Sequence, residues 1–192
     1  MVRRGRRTGE SQTRQLILDA ARSAFASLGY QGATIRFIAA EAQVDPALVH
    51  HYFGTKEELF AAAVEVPFKP GVAVESIFAG GVEGVGERMA RLFFTVWETP
   101  ESRQALLGQL RRAMIESDGP VPFAEFVSSA LLPRMAAHLK GREKKLRIEL
   151  AVSQLIGLAM LRYVIKLESV ASTPVERLIK EVAPRLETWL VE

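Results

Sequence analysis

Apolar residues recur at three- and four-residue spacings along nearly the whole chain, a pattern that predicts one helix after another and an all-α fold. From Gln12 to Leu28 the stripe is Leu16, Ile17, Ala20, Ala21, Ala24, Phe25 and Leu28, and Gly29 is placed to end it. The stretch 34–59, TIRFIAAEAQVDPALVHHYFGTKEEL, is more finely punctuated. Thr34 can cap a short helix that carries Ile35, Ile38, Ala39 and Ala42 on one face and ends near Gln43. Asp45 and Pro46 restart the chain as helix, because the carboxylate accepts free N–H groups and proline at the first position loses no needed donor. Val49 and Phe53 face inward, Gly54 turns the chain, and Thr55 with Glu58 forms a capping box that opens a helix from Lys56 to about Val66. Leu59, Phe60, Ala63 and Val64 are its buried side.

This is a helix-turn-helix pattern. Ala47 and His51 point opposite to Val49 and Phe53, with Leu48 and His50 flanking them, so the outward face is short and free of carboxylates beyond the cap. Such a face suits a major groove lined with acceptors and phosphates. A surface turn between two core helices is the plainer alternative.

Between Pro67 and Gly86 the composition shifts to proline and glycine around the short apolar segment VAVESIF, which marks a boundary between domains at 1–67 and 68–192. Gly81, Gly84 and Gly86 do not make a phosphate loop, since no strand precedes them and no lysine-serine or lysine-threonine pair follows. Five helices are expected beyond: Glu87 to Glu98, Pro100 to Glu116, Pro122 to Leu139, Arg142 to Glu168 and Pro174 to Leu190, with Asp118-Gly119-Pro120 among the breaks. Pro133 and Pro184 are expected to kink two of them. Among the bulky residues of this half, Met89, Phe93, Trp97, Met114, Phe126 and Tyr163 are the candidates for an adaptable apolar wall, with Arg111, Gln154 and Arg162 as polar contacts. For Arg162 a salt bridge or surface charge is the stronger reading.

Charge adds an arm to this picture. The first fourteen residues hold five arginines against one glutamate, a net +4, which leaves the rest of the chain near neutral. A basic arm ahead of a helix-turn-helix can follow phosphates or enter the minor groove as a strand that orders on binding; a solvated tail is the alternative. The absence of cysteine removes disulfides, thiolate metal sites and cysteine nucleophiles, and fits a cytoplasmic location. No signal peptide is visible, and Leu150 to Val164, the most apolar stretch, is broken by Gln154 and Arg162 and reads as too short for a bilayer, so no membrane partner is expected.

From Thr13 to Val64, through RQLILDAARSAFASLGYQGATIRFIAAEAQVDPALVHHYFGTKEELFAAAV, the sequence resembles the TetR-type bacterial transcriptional regulators. The resemblance implies an N-terminal three-helix helix-turn-helix DNA-binding domain followed by a C-terminal helical ligand-binding and dimerisation domain. It implies a homodimer on a palindromic operator in double-stranded DNA, repressing until a small effector binds, with no cofactor. Arg36 would reach a base edge and Thr34 a phosphate; Pro46, Ala47, His50 and His51 would read or pack against bases; Tyr52 and Lys56 would hold phosphates; and Arg3, Arg4, Arg6 and Arg7 would serve the arm. A histidine on phosphate would make DNA affinity rise as pH falls.

The last two helices are more apolar than a monomer's exterior requires. Leu150, Leu155, Gly157, Leu158 and Leu161 with Leu178, Val182 and Leu186 are read, largely by resemblance, as the faces of a dimeric four-helix bundle, with intrachain core as the alternative. The sequence departs from the family pattern at Gln43, where glycine is common, at His50, where tyrosine is common, and at Tyr52, where histidine is common. Gln43 implies either ordinary backbone angles in the turn or a tolerated left-handed residue.

Two rival functions have less to stand on. A small helical enzyme would need carboxylates, because His138 is the only histidine outside the motif, and no nucleophile, base and orienting group occur together. A helical dimeric interaction protein without specific DNA binding would not need the arm arginines and Lys56.

Overall fold

The computed structural model describes residues 5–66, 68–115 and 122–191. Every regular element among the described residues is helical. In order they are α1 (Gly5–Gly32), α2 (Ile35–Glu41), α3 (Pro46–Phe53), α4 (Lys56–Ala63), α5 (Pro70–Phe78), α6 (Val85–Glu98), α7 (Pro100–Ile115) and α8 (Pro122–Phe126). A wide π turn at Val127–Leu131 leads to α9 (Leu132–His138), then come α10 (Lys144–Ala159), a second π turn (Met160–Ile165), α11 (Glu168–Ala171) and α12 (Val175–Val191).

The chain forms two compact units that interleave in sequence. One comprises 1–70 with 104–128, the other 71–103 with 129–192. The first unit is built on an aromatic cluster. Phe25 and Phe60 meet edge-on at 4.9 Å, Tyr30 lies 5.1 Å from Phe60, and Phe126 of α8 stacks on Phe60 at 4.7 Å and meets Tyr30 at 5.4 Å. In the second unit α6 and α12 cross closely enough that a β-carbon on Gly86 would come within 2.3 Å of the Ala183 carbonyl oxygen. That crossing also supplies the α6 N-terminus with its missing acceptors: both Glu187 carboxylate oxygens take amide protons, from Gly84 and from Gly86, each at 2.7 Å. Two of the glycines that fail as a phosphate loop, Gly84 and Gly86, do hold an anion, and it is the chain's own.

Several local expectations are corrected. Helix α1 starts at Gly5, not Gln12, so the arm from there on continues the helix; Gly29 breaks it at φ 72, but one more turn follows to Gly32. Leu16 and Leu28 of the expected stripe are exposed, and Leu18 is buried instead. Helix α4 stops at Ala63, short of Val66, because Glu65 turns left-handed at φ 59. The stretch read as a boundary contains a helix, α5, with Ala73, Val74, Ile77 and Phe78 buried. The helix expected over 122–139 is split by the π turn ahead of Pro133, whose missing N–H falls at the start of α9 where it costs least. The helix expected from Arg142 to Glu168 ends as the second π turn, with Lys166 left-handed at φ 58. Pro184 sits inside α12, which stays one helix.

Burial also sorts the expected dimer residues. Leu155 and Leu186 are fully buried in the chain's own core. Gly157, Leu158, Leu161, Leu178 and Val182 instead line an open groove together with Gln154, Glu181 and Arg185. The segment Lys144–Ile165 is long and apolar enough to cross a membrane by length and composition, contrary to the sequence reading, which weighed only the apolar stretch from Leu150 to Val164. Only 22% of its apolar 18-residue window is buried within the chain.

Candidate nucleic-acid interface

The caps of the helix-turn-helix form as the side chains dictate. Thr34 Oγ1 accepts from Phe37 N at 3.1 Å, and Asp45 Oδ1 accepts from Ala47 N at 2.7 Å. Thr55 and Glu58 close the capping box: the Glu58 amide donates to the Thr55 hydroxyl at 3.2 Å, and the Thr55 amide donates to the Glu58 carboxylate at 3.0 Å. Between α2 and α3 the chain turns through Gln43 at φ 55, so the non-glycine is a left-handed residue. Val49 and Phe53 are buried, which fixes the rotation of α3 and leaves Ala47, Leu48, His50 and His51 exposed. Arg36 is exposed on α2, and Thr34 is exposed beside it. Pro46 and Tyr52 are half-buried at the two ends of α3.

Beside Thr34, four more of the expected contact residues, His50, His51, Tyr52 and Lys56, have internal partners. His50 Nδ1 lies 2.8 Å from the Gly54 carbonyl oxygen, which only accepts, so Nδ1 carries the proton and Nε2 is the edge turned outward. The His51 ring meets Tyr52 edge-on at 5.3 Å. Lys56 Nζ donates to the Gln31 carbonyl at 3.2 Å and lies 4.7 Å above the Tyr30 ring. Burial lowers the pKa of this ammonium, against the opposing pull of the Glu57 and Glu125 carboxylates. Arg3 and Arg4 lie outside the described residues, as do the side chains of Arg6, Arg7 and Met114 and the break at Asp118-Gly119-Pro120.

Sequence reasoning missed Arg14 as part of this surface. Its guanidinium covers the Phe53 ring at 4.8 Å, and it lines a cleft of about 600 Å³ with His50, His51, Tyr52, Phe68 and Lys69. The signal was available, since Arg14 is the last arginine of the basic run and stands one helical turn before Ile17 of the apolar stripe.

The candidate ligand residues separate. Met89, Phe93 and Trp97 share one face of α6, Phe93 lies 5.5 Å from Trp97, and Trp97 stacks on Tyr163 at 5.5 Å. Phe126 is fully buried in the aromatic core of the first unit, Arg111 is exposed on α7, and Gln154 lines the groove between α10 and α12. Arg162 is a structural cation, as the stronger reading has it. It donates to the carbonyls of Val170, Ala171 and Thr173 at 2.7–3.0 Å and pairs with Glu98 at 3.2 Å. Tyr163 donates to the same Glu98 carboxylate at 2.8 Å. Burial first, and that carboxylate second, push the phenol up to about 12. A raised phenol pKa stabilises the fold below the ordinary tyrosine value, and this contribution is lost as pH rises from about 10 to about 12. Tyr163→Phe is therefore expected to flatten the decline in urea midpoint over that range; an unchanged decline would put the alkaline sensitivity elsewhere.

A family model for bacterial regulatory proteins of the tetR family matches residues 17–63. A second, described as Tetracyclin repressor-like, C-terminal domain, matches residues 83–190, more than half the chain. The chain belongs to the tetR family. A solved TetR-family regulator from Streptomyces coelicolor A3 is 36% identical, covers 98% of both chains and superposes with a TM-score of 0.50. The HTH-type transcriptional repressor AcnR of Corynebacterium efficiens is 44% identical over 50 residues, 26% of this chain. The HTH-type transcriptional regulator BetI of Rhizobium meliloti is 42% identical over 55 residues, 29% of this chain. In both cases the match spans only 27% of the relative, little more than the helix-turn-helix region. This tetR-family protein is thus a transcriptional regulator and not an enzyme, with an N-terminal helix-turn-helix and a helical C-terminal part.

Proposed function

We propose that this tetR-family protein is a cytoplasmic, homodimeric repressor that binds an inverted-repeat operator and is released by a small, largely apolar ligand. The observation that carries the DNA reading is the exposed face of α3. Ala47, Leu48, His50 and His51 stand out from a helix locked in rotation by buried Val49 and Phe53, and the only carboxylate at its start, Asp45, is used as a cap. Exposed Arg36 adds a two-pronged donor suited to the paired acceptors of guanine. The dimer is supported by the groove between α10 and α12, where half-buried Leu158 and Leu161 lie beside exposed Gly157 over a floor of buried Leu178 and Val182, in a chain whose α10 stretch is little buried. Two such faces placed together fit the four-helix packing of small dimeric bundles. For the ligand, the Phe93, Trp97 and Tyr163 rings supply the apolar, polarisable wall that drug-like molecules favour.

Selection from a random double-stranded DNA pool tests the proposal. An enriched inverted repeat supports both sequence reading and two-fold symmetry, whereas no binding even at low salt sinks it. On the selected sequence, Arg36→Ala is expected to lose about 1–3 kcal/mol of discrimination against single-base variants. If the preferred sequence is unchanged, Arg36 does not read bases.

A further inference from the structure

Gln31, where α1 ends, is held from both sides of one residue. Its N–H donates to Glu125 Oε2 at 3.2 Å, and its carbonyl accepts from Lys56 Nζ at 3.2 Å. The Lys56 ammonium rests on the Tyr30 ring, and that ring packs against Phe126, the neighbour of Glu125. Lys56 is the first residue of α4, where a lysine side chain has the length to reach a DNA phosphate, yet here it is folded back and half-buried. Glu125 comes from α8, a helix remote in sequence from the helix-turn-helix but part of the same compact unit. Any phosphate that recruits Lys56 must draw the ammonium away from the Gln31 carbonyl, the Tyr30 face and the field of the Glu125 carboxylate.

We infer that Glu125 is a positioning residue: by fixing the Gln31 peptide and attracting the ammonium it holds Lys56 back, and so sets an upper limit on DNA affinity. The inference rests on the reading of Lys56 as a phosphate contact. A modest effect is expected, because an exposed charge contact is worth well under the energy of a buried one.

The test is a double-mutant cycle read by binding to a random-sequence duplex at low salt, where phosphates carry the affinity whatever the operator is. Glu125→Gln keeps an oxygen to accept from Gln31 N while removing the charge, so folding is preserved; equal thermal midpoints would verify this. Glu125→Gln is expected to tighten binding roughly two- to fivefold. The same substitution in a Lys56→Met background is expected to change nothing. Equal tightening in both backgrounds would mean that Glu125 merely repels the duplex and would overturn the inference, as would no tightening at all. In either case a Lys56→Met protein that binds more weakly than the wild type leaves the phosphate reading of Lys56 standing. If Lys56→Met binds like the wild type, that reading and this inference fail together.

Discussion

Replacing Phe126 by alanine is expected to destabilise the DNA-reading unit by about 3–5 kcal/mol, although the residue lies far beyond the helix-turn-helix in sequence. The ring is fully buried, stacked at 4.7 Å on Phe60 of α4 and edge-on at 5.4 Å to Tyr30 of α1. Truncation removes a shared wall of that cluster and leaves a cavity that three other aromatic rings, held by their own helices, cannot close. Urea unfolding monitored by far-ultraviolet circular dichroism, together with DNA binding at the growth temperature, checks this. Phe123 supplies the control: it is only half-buried, lies 6.4 Å from Phe126, and Phe123→Ala should cost much less. The experiment also decides between core and ligand wall for Phe126. A Phe126→Ala protein with wild-type stability but an altered ligand response would return the residue to a pocket.

The second large effect is expected at Gly86. Gly86→Ala places a methyl group 2.3 Å from the Ala183 carbonyl oxygen and 2.8 Å from the Glu187 backbone nitrogen, and neither is the yielding tip of a side chain. Relief requires α6 and α12 to move apart, which breaks the two carboxylate bonds that cap α6. The loss should reach roughly 3 kcal/mol or more, outweighing the gain of about 1 kcal/mol that alanine brings to a helix interior. Gly84→Ala is the informative comparison. Gly84 has φ 70, so alanine there is strained, but the nearest obstacle is a side-chain tip, the Arg88 guanidinium at 3.2 Å, which is held by the Ile77 and Glu83 carbonyls and need shift only slightly, and a cost of about 1–2 kcal/mol is expected. Equal effects at the two positions would mean that the helix crossing has more freedom than its geometry allows.

The helix-turn-helix was legible because its signals are local. Thr34, Asp45 with Pro46, and Thr55 with Glu58 each act within three residues of themselves, and each makes the bond expected of it. The inward pair Val49 and Phe53 was legible for the same reason, and with it the outward face of α3. Helix α5 was hidden by the prolines and glycines around it, which punctuate its ends without entering its apolar middle. What stayed illegible depends on partners distant in sequence. Glu187 capping α6, Glu125 holding Gln31, and Phe126 completing the core beneath α4 span 103, 94 and 66 residues, and no periodicity reports them. Phe126 and Gln154 were grouped with the ligand residues by chemistry alone, whereas three-dimensional neighbours assign one to an aromatic core and the other to a surface groove.

The interleaving of the two units has a consequence for the order in which the nascent protein can mature. Chains generally fold unit by unit as they leave the ribosome, the N-terminal part first. Here residues 1–70 emerge with every helix of the DNA motif but without Phe126, so the aromatic core beneath α4 waits until synthesis has passed 128. The amides of Gly84 and Gly86 wait longer still, for Glu187. A ribosome stalled midway would therefore carry a DNA-reading motif of incomplete core, and premature termination should yield a degradable fragment instead of a free binding domain able to occupy operators without control.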